Sequence, residues 1–213
     1  MKKLTIALLS LLIAVPAAQA EGMKMSHAHM GHVLSGWKDT PNQAGLLPVA
    51  LAEAQVAAQH ADFAASKPSD LGWMKTHSLH VMHALDPSLI NKGPGAGYGV
   101  IKAANGVSQH IGFAAASSDA SDAVKLHAVH VATTAQNSVA RAQEMLQLAQ
   151  QVLDTGSVEQ AAARVAQVRR LAHQLLDGVD ANGDGTVSWQ KGEGGLEESA
   201  KHMGFMAKAE GMM

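Results

Sequence analysis

The amino-acid sequence predicts an all-α protein: a helical bundle of about five helices plus a short C-terminal helix, with a disordered N-terminal tail. Alanine, the best helix former, is abundant in the 213-residue chain, and aromatic residues make up only 3% of it. Runs of β-branched residues, which favour strands, are scarce. Apolar residues instead recur at helical spacing in five long segments.

The first twenty residues predict a Sec-type signal peptide. Lys2 and Lys3 precede an apolar run from Leu4 to Val15, and an Ala-x-Ala sequence ends at Ala20. The run is too short to span a bilayer, and no later segment is long and apolar enough to do so. We therefore expect cleavage near Ala20, a periplasmic or secreted location, and no integral membrane segment.

The composition excludes several classes of function. Because the chain has no cysteine, it forms no disulfide, thiolate metal site or covalent haem attachment. Without Lys2 and Lys3, 14 basic residues face 18 acidic ones, and this net charge of about −4 argues against nucleic acid as a partner. No catalytic motif is present, so the sequence does not predict an enzyme.

The chain divides into a tail and one helical domain. Residues 21–45 lack an apolar period and are predicted to be flexible, whereas residues 46–213 form the bundle. A first helix is expected over 48–66, because its opening proline favours the first helical position. A second is expected over 70–86, between a cap at Ser69 or Asp70 and a proline. Glycine and proline over 86–99 predict a loop.

Four further helices complete the bundle. The third is expected over 100–116, where Gly106 would allow another helix to approach closely. The fourth is expected over 122–153, and the fifth follows Ser157, a favoured N-cap. A short last helix is expected over 195–210.

Three histidines recur at three-residue spacing in the second helix. Residues three apart on a helix lie one above the other, so His77, His80 and His83 form a stripe of imidazoles. Histidine is the commonest metal-binding side chain, and the stripe therefore predicts a metal or haem site. The alternative is a polar helix face exposed to solvent.

Other histidines fall on or beside the apolar faces of different helices: His60, His110 and His127, with His130 at the margin. Buried imidazoles need partners, and bundles build metal sites from facing side chains of neighbouring helices. Without thiolates, such a site suits copper, zinc, nickel or haem iron. The alternative is ordinary core histidines. If the stripe of the second helix is part of a buried metal site, it must face these core histidines.

The loop after the fifth helix carries oxygen-bearing side chains on alternate residues, followed by a glycine: Asp180, Asn182, Asp184 and Gly185. This pattern resembles the calcium loop of the EF-hand family. Calcium takes six to eight oxygen ligands, and the resemblance implies a calcium loop over residues 180–191. It also implies that the carbonyl of Thr186 and a water held by Ser188 contribute.

The loop departs from the family at its twelfth position. The family places a bidentate acid there, whereas this chain has Lys191. Glu193, two residues later, is the acid expected to take that place, and we expect weak calcium affinity. The alternative is a turn whose Asp and Asn side chains bond their own backbone.

The tail is rich in methionine and histidine: Met23, Met25, His27, His29, Met30 and His32. Thioether sulfur selects Cu(I), and imidazole accepts Cu(II). In composition the segment resembles the Met/His-rich segments of periplasmic copper-handling proteins, which implies copper capture. The alternative is a tail in which these residues are incidental.

Together these features predict an exported metal-binding protein. Copper is the first candidate, held through the histidines and the tail, with weak calcium binding in the acidic loop. One alternative is a haem-b protein with two axial histidines, since small residues around Gly106 could leave room for a porphyrin. Another is a structural or interaction module that binds only calcium. The only partners predicted are metal ions.

Overall fold

The computed structural model describes residues 24–213, and this part of the chain is all-helical, as predicted. The predicted signal peptide and Met23 lie outside the described residues. Within residues 24–213 no helix combines the length and apolar character needed to cross a membrane. The helices are α1 Met25–Leu34, α2 Leu46–Ser66, α3 Leu71–Leu85, α4 Val100–Ala116, α5 Asp122–Asp154, α6 Val158–Asp177 and α7 Leu196–Ala209, with one 3-10 turn at Pro41–Gln43.

Two predicted caps fix the starts of their helices. The Oδ1 of Asp70 accepts a hydrogen bond from the amide of Trp73 at 2.9 Å, and α3 begins at the next residue. The hydroxyl of Ser157 accepts from the amide of Gln160 at 3.2 Å, and α6 begins behind it. Both side chains satisfy amides that the first turn of a helix leaves without a partner.

The longest helix, α5, lies at the centre of the bundle and packs against α3, α4, α6 and α7. On the other side, α2 packs against α3, α4 and α6. The close approach predicted at Gly106 is confirmed, because a Cβ atom there would lie 2.9 Å from the Cδ2 of Leu46 at the start of α2. A larger residue at this position would displace the buried side chain of Leu46.

The glycine- and proline-rich loop between α3 and α4 is tied to α2 by a buried carboxylate. The Oε1 of Glu53 accepts from the amides of Tyr98 and Gly99 at 2.9 and 3.3 Å. These bonds position the loop without regular structure of its own, and the prediction of an irregular segment there is confirmed.

The N-terminal segment differs from the sequence prediction. Residues 25–34 form α1, so the predicted disorder is wrong for this stretch. Met30 and Val33 are fully buried, and the carboxylate of Asp119 caps the helix by accepting from the amides of Met25 and Ser26 at 2.6 and 3.0 Å. Two core residues make too short a pattern to reveal a helix in the sequence, and the cap comes from a distant loop.

Candidate metal centres

Nine of the twelve histidines of the chain meet in three groups of three. In each group, one nitrogen of every imidazole lies within 4.8 Å of the other two, as donors to a single metal ion must. We name the groups centre A (His29, His32 and His110), centre B (His60, His77 and His80) and centre C (His127, His130 and His202).

Each centre combines a pair of histidines three residues apart on one helix with a third from another helix. The pair lies on α1 in centre A, on α3 in centre B and on α5 in centre C. The spacing puts both imidazoles on one helix face, and a second helix packed there supplies the third. We call this third residue the joining histidine; it is His110 on α4, His60 on α2 and His202 on α7.

The joining histidine lies close to both members of the pair, and every close approach joins two Nδ1 atoms. Two nitrogens bound to one tetrahedral ion by bonds of about 2.0–2.1 Å are about 3.3 Å apart. The observed separations are near this value, so the centres need little rearrangement to take an ion. They are 3.2 and 3.3 Å from His110 to His29 and His32, 2.9 and 3.2 Å from His60 to His77 and His80, and 3.0 and 3.3 Å from His202 to His127 and His130.

Burial favours the neutral form of the imidazoles. Together with His80 and His77, it lowers the pKa of His60 to about 4. Burial is also the largest cause of the lowered pKa of the other two joining histidines, and neighbouring imidazoles of the same centre add to it. Metals bind neutral imidazole, so a lowered pKa leaves the nitrogen available at neutral pH and below it.

The centres lie at the edge of the bundle, not in its interior. In each of them one histidine is buried and the other two are half-buried. The buried members are His110, His77 and His202. An ion held there would be enclosed on its inner side and reachable from solution on its outer side.

All three tryptophans and all three phenylalanines of the chain lie against the centres. The phenylalanines are 39, 45 and 48% exposed, so burial in the hydrophobic core does not account for their positions. Each centre has one residue of each kind. From tryptophan to the nearest histidine ring, the centroid distances are 4.5 Å for Trp37 and His110, 4.3 Å for Trp73 and His77, and 4.1 Å for Trp189 and His130. From phenylalanine to the nearest histidine ring, the centroid distances are 5.3 Å for Phe113 and His29, 5.3 Å for Phe63 and His77, and 5.7 Å for Phe205 with both His127 and His202.

Charged neighbours distinguish the centres. In centre C the Nε2 of His202 lies 3.2 Å from the Oε1 of Glu198. A proton on Nε2 donated to this carboxylate leaves the Nδ1 lone pair free for a metal, and such an outer carboxylate raises the basicity of the ligand. In centre B the ammonium of Lys67 lies 3.6 Å from the centroid of the Trp73 ring and adds positive charge beside the centre.

The structure joins tail and core residues that the sequence assigned to separate sites. Two tail histidines meet His110 in centre A, whereas the Nε2 of His27 lies 2.7 Å from a carboxylate at the end of α7. The side chain of Met30 is buried in the hydrophobic core. Met25 is exposed.

The histidine stripe on α3 divides between two roles. Its first two members join His60 in centre B, whereas the Nδ1 of His83 donates to the carbonyl oxygen of Ile90 at 2.6 Å. The stripe does not face all three core histidines, because His110 and His127 lie in centres built with α1 and α7.

His202 is the one centre residue that is not among the metal ligands predicted above, although the sequence carries a signal for it. Every phenylalanine of the chain follows a joining histidine by three residues, and along the chain a tryptophan stands between that motif and the histidine pair. The motifs are His60-x-x-Phe63, His110-x-x-Phe113 and His202-x-x-Phe205.

The acidic loop lies between α6 and α7, and its side chains bond its own backbone. Asp180 accepts from the amides of Gly183 and Gly185 at 2.8 and 2.9 Å. Asp184 accepts from the amide of Thr186 at 2.9 Å. These are the self-bonded turns given above as the alternative to calcium. The Oδ1 of each aspartate accepts two hydrogen bonds, whereas each Oδ2 accepts one and keeps a second lone pair.

The expected substitute acid also reaches into the loop. Glu193 is 2% exposed, and its Oε2 accepts from the amide and the hydroxyl of Ser188 at 3.0 and 2.6 Å. Among residues 24–213, the carboxylates of the loop do not form a group of three mutually close donors like those of the histidine centres.

Comparison with known proteins assigns no family: no protein-family model, curated protein or solved structure matches the chain. The geometry of the centres is therefore the basis for assigning a function.

Proposed function

We propose that the protein is an exported transition-metal-binding protein that holds up to three ions, copper first, in centres A, B and C. The observation that carries the proposal is the convergence of three imidazoles at each of three helix pairs. Bundles commonly build metal sites from facing side chains in this way. Export is inferred from the signal-peptide pattern of residues 1–20.

Copper is the first candidate because the donors are neutral imidazoles. Nitrogen donors suit copper, zinc and nickel, and among the divalent ions of this series copper binds most tightly. The half-buried position of the centres favours exchange with solution. Three like centres on one chain favour storage, buffering or delivery of metal, whereas catalysis requires only one.

The test is the metal stoichiometry of the purified protein. Titration with Cu(II) in air, and with Cu(I) under anaerobic conditions, is expected to saturate at three equivalents. His60→Gln, His110→Gln and His202→Gln should each remove one equivalent. His173→Gln is the matched control, because His173 bonds Asp62 and belongs to no centre.

Two results would overturn the proposal. One is saturation well below one equivalent of any transition metal in folded protein. The other is an unchanged stoichiometry in a variant that lacks all three joining histidines. If metal-free protein binds calcium and no transition metal, the alternative of a structural module that binds only calcium is correct.

No feature of the described residues favours the haem alternative. The small residues expected to leave room for a porphyrin, among them Ala103, Ala104 and Ala114, are fully buried in helix contacts. The close Nδ1 approaches also leave no gap for a macrocycle between two axial ligands. An absorption spectrum of protein from its native source decides the matter, because a Soret band would identify haem.

We also propose weak calcium binding in the loop over residues 180–191. Its support is the EF-hand-like spacing of Asp180, Asn182 and Asp184, the helices on either side, and the inward position of Glu193. Calorimetric titration with calcium tests it, and Asp180→Asn should abolish the heat of binding.

A further inference from the structure

The aromatic residues around the centres follow a rule that ordinary packing does not explain. Each tryptophan reaches its centre from a different place: Trp37 from the segment after α1, Trp73 from the first turn of α3, and Trp189 from the loop before α7. The outcome is the same each time, an indole within 4.1–4.5 Å of an imidazole, measured between ring centroids. A single contact of this kind is common, but the contact of all three tryptophans with a centre histidine indicates a function.

We propose that the tryptophans determine which ion the centres prefer, and that this ion is monovalent copper bound by three histidines. The proposal rests on the metal-binding function proposed above and specifies its cargo. Each indole, with a phenylalanine beside it, forms an apolar wall in the layer of side chains around the ion. The wall takes space that water or an oxygen ligand would otherwise occupy.

The number of donors favours the cuprous ion. Each centre supplies three imidazole nitrogens, and no carboxylate or fourth histidine joins them in the described part of the chain. Divalent zinc completes a tetrahedron with a fourth ligand, and Cu(II) prefers a tetragonal arrangement. Both would need a further ligand in a place walled by aromatic rings. Cu(I) is stable with three ligands and does not need a fourth.

The single charge of the cuprous ion also favours its binding. The cost of moving an ion out of water scales with the square of its charge, so an apolar wall penalises a divalent ion about four times as strongly as a monovalent one. The face of an indole also attracts cations, more strongly than other aromatic side chains do. Trp73 shows this property already, since the ammonium of Lys67 lies over its ring.

Lys67 should make the ion preference of centre B differ from that of the other two centres. Its charge occupies one face of the Trp73 ring and repels a second cation, so the preference for Cu(I) should be weakest in centre B. Trp189 stacks on His130 with an interplanar angle of 24°, and no lysine lies over its ring in the described residues. Centre C is therefore the clearest place for a test.

The test uses full-length protein in which His60→Gln and His110→Gln leave only centre C intact. Cu(I) affinity is measured anaerobically against a chromophoric Cu(I) chelator, and Zn(II) affinity against a zinc chelator. Trp189→Leu is expected to weaken Cu(I) binding by about 2- to 30-fold and to leave Zn(II) affinity unchanged or improved. Trp189→Phe, which keeps an aromatic face, should lie between Trp189→Leu and the parent. Phe205→Leu should cause a smaller loss than Trp189→Leu.

The outcomes separate this inference from the proposed function. If Trp189→Leu changes Cu(I) and Zn(II) affinity by the same factor, or changes neither, the tryptophan is only packing and the inference is wrong while metal binding stands. If the parent with one intact centre binds neither ion, the proposed function itself fails. Should Trp189→Leu not fold, as judged by circular dichroism, the comparison of Trp189→Phe with the parent decides, with a loss of Cu(I) affinity alone expected.

Discussion

The histidine centres and the acidic loop are both candidate metal sites, but they are built in opposite ways. In the loop, the carboxylates of Asp180 and Asp184 accept hydrogen bonds from amides within five residues of themselves. In the centres, each joining histidine lies on a different helix from its pair, and its Nδ1 faces other Nδ1 atoms. The loop is satisfied by its own backbone, whereas the nitrogens of a centre have mainly each other.

This difference in hydrogen bonding determines how much a bound metal ion can stabilise each kind of site. A neutral imidazole has one N–H and one lone pair, so three Nδ1 atoms at such distances cannot all be satisfied by bonding one another. An ion at the middle of a centre would use all three lone pairs together. In the loop, calcium would add bonds to oxygens that already have partners. We therefore expect large metal effects at the centres and small ones at the loop.

The largest expected effect is stabilisation by copper. A ligand that binds only the folded state at 100 times its dissociation constant adds about 2.7 kcal/mol to the free energy of unfolding for each site. Chemical denaturation with and without copper should show that gain for every centre, and His202→Gln should remove one such increment. Asp180→Asn, in the loop, should retain the full gain. An equal loss in both variants would contradict the distinction between the two kinds of site.

The same contrast explains how far the sequence could predict the structure. Features encoded within a few residues are predictable from the sequence, as the caps Asp70 and Ser157 and the irregular segment 86–99 show. Helix α1 was missed, because its burial and its Asp119 cap come from elsewhere in the chain.

The centres were only half predictable for the same reason. The spacing of His29 and His32, or of His127 and His130, is visible in the sequence, but the partner depends on which helices pack together. His110 thus joins a segment expected to be a tail. His202 was overlooked because a lone histidine on a short helix gives no sign of its partners. The phenylalanine three residues later was the available clue, and it becomes informative only when all three cases are compared.

The second prediction distinguishes a carboxylate that lies against a metal-binding histidine from the loop carboxylates, which accept hydrogen bonds from the backbone. Because the Oε1 of Glu198 lies 3.2 Å from the Nε2 of His202, Glu198→Gln should weaken copper binding at centre C by about 10- to 100-fold, as loss of an outer-shell partner does. Competition titration of protein with only centre C intact measures this. Glu197→Gln, an exposed neighbour on α7, is the control. Equal affinities in the two variants would show that Glu198 has no role in binding.

The third prediction concerns calcium. With a dissociation constant on the order of 10⁻⁴–10⁻³ M, 1 mM calcium should raise the free energy of unfolding by only about 0.4–1.4 kcal/mol. Asp180→Asn should abolish the gain, and replacement of the joining histidines should not affect it. A gain several times larger would mean that the loop rearranges into a full calcium site, and the contrast with the centres would fail.

The smallest expected effect is the pH dependence of stability in the metal-free protein. The histidine centres and the acidic loop contribute to it in different pH ranges. Burial, with His80 and His77, lowers the pKa of His60 from 6.5 to about 4, so the unfolded chain binds a proton there that the folded chain does not. Stability should therefore fall as pH falls from about 6.5 to 4, by less than about 1 kcal/mol for a half-exposed group. His60→Gln should flatten part of this slope.

The loop has the same sign but acts at lower pH. Hydrogen bonds from Thr186, first its hydroxyl and then its amide, with one from Asn182, lower the pKa of Asp184 below 3.8. Its charged form therefore stabilises the folded state above that pH, and this contribution is lost as pH falls through the folded pKa. Asp184→Asn should change the slope of stability against pH only below about pH 4, and His60→Gln should change it only above about pH 4. Denaturation curves of both variants from pH 3 to 8 measure the two windows, and a change of slope by either variant outside its own window would show that the two regions are coupled.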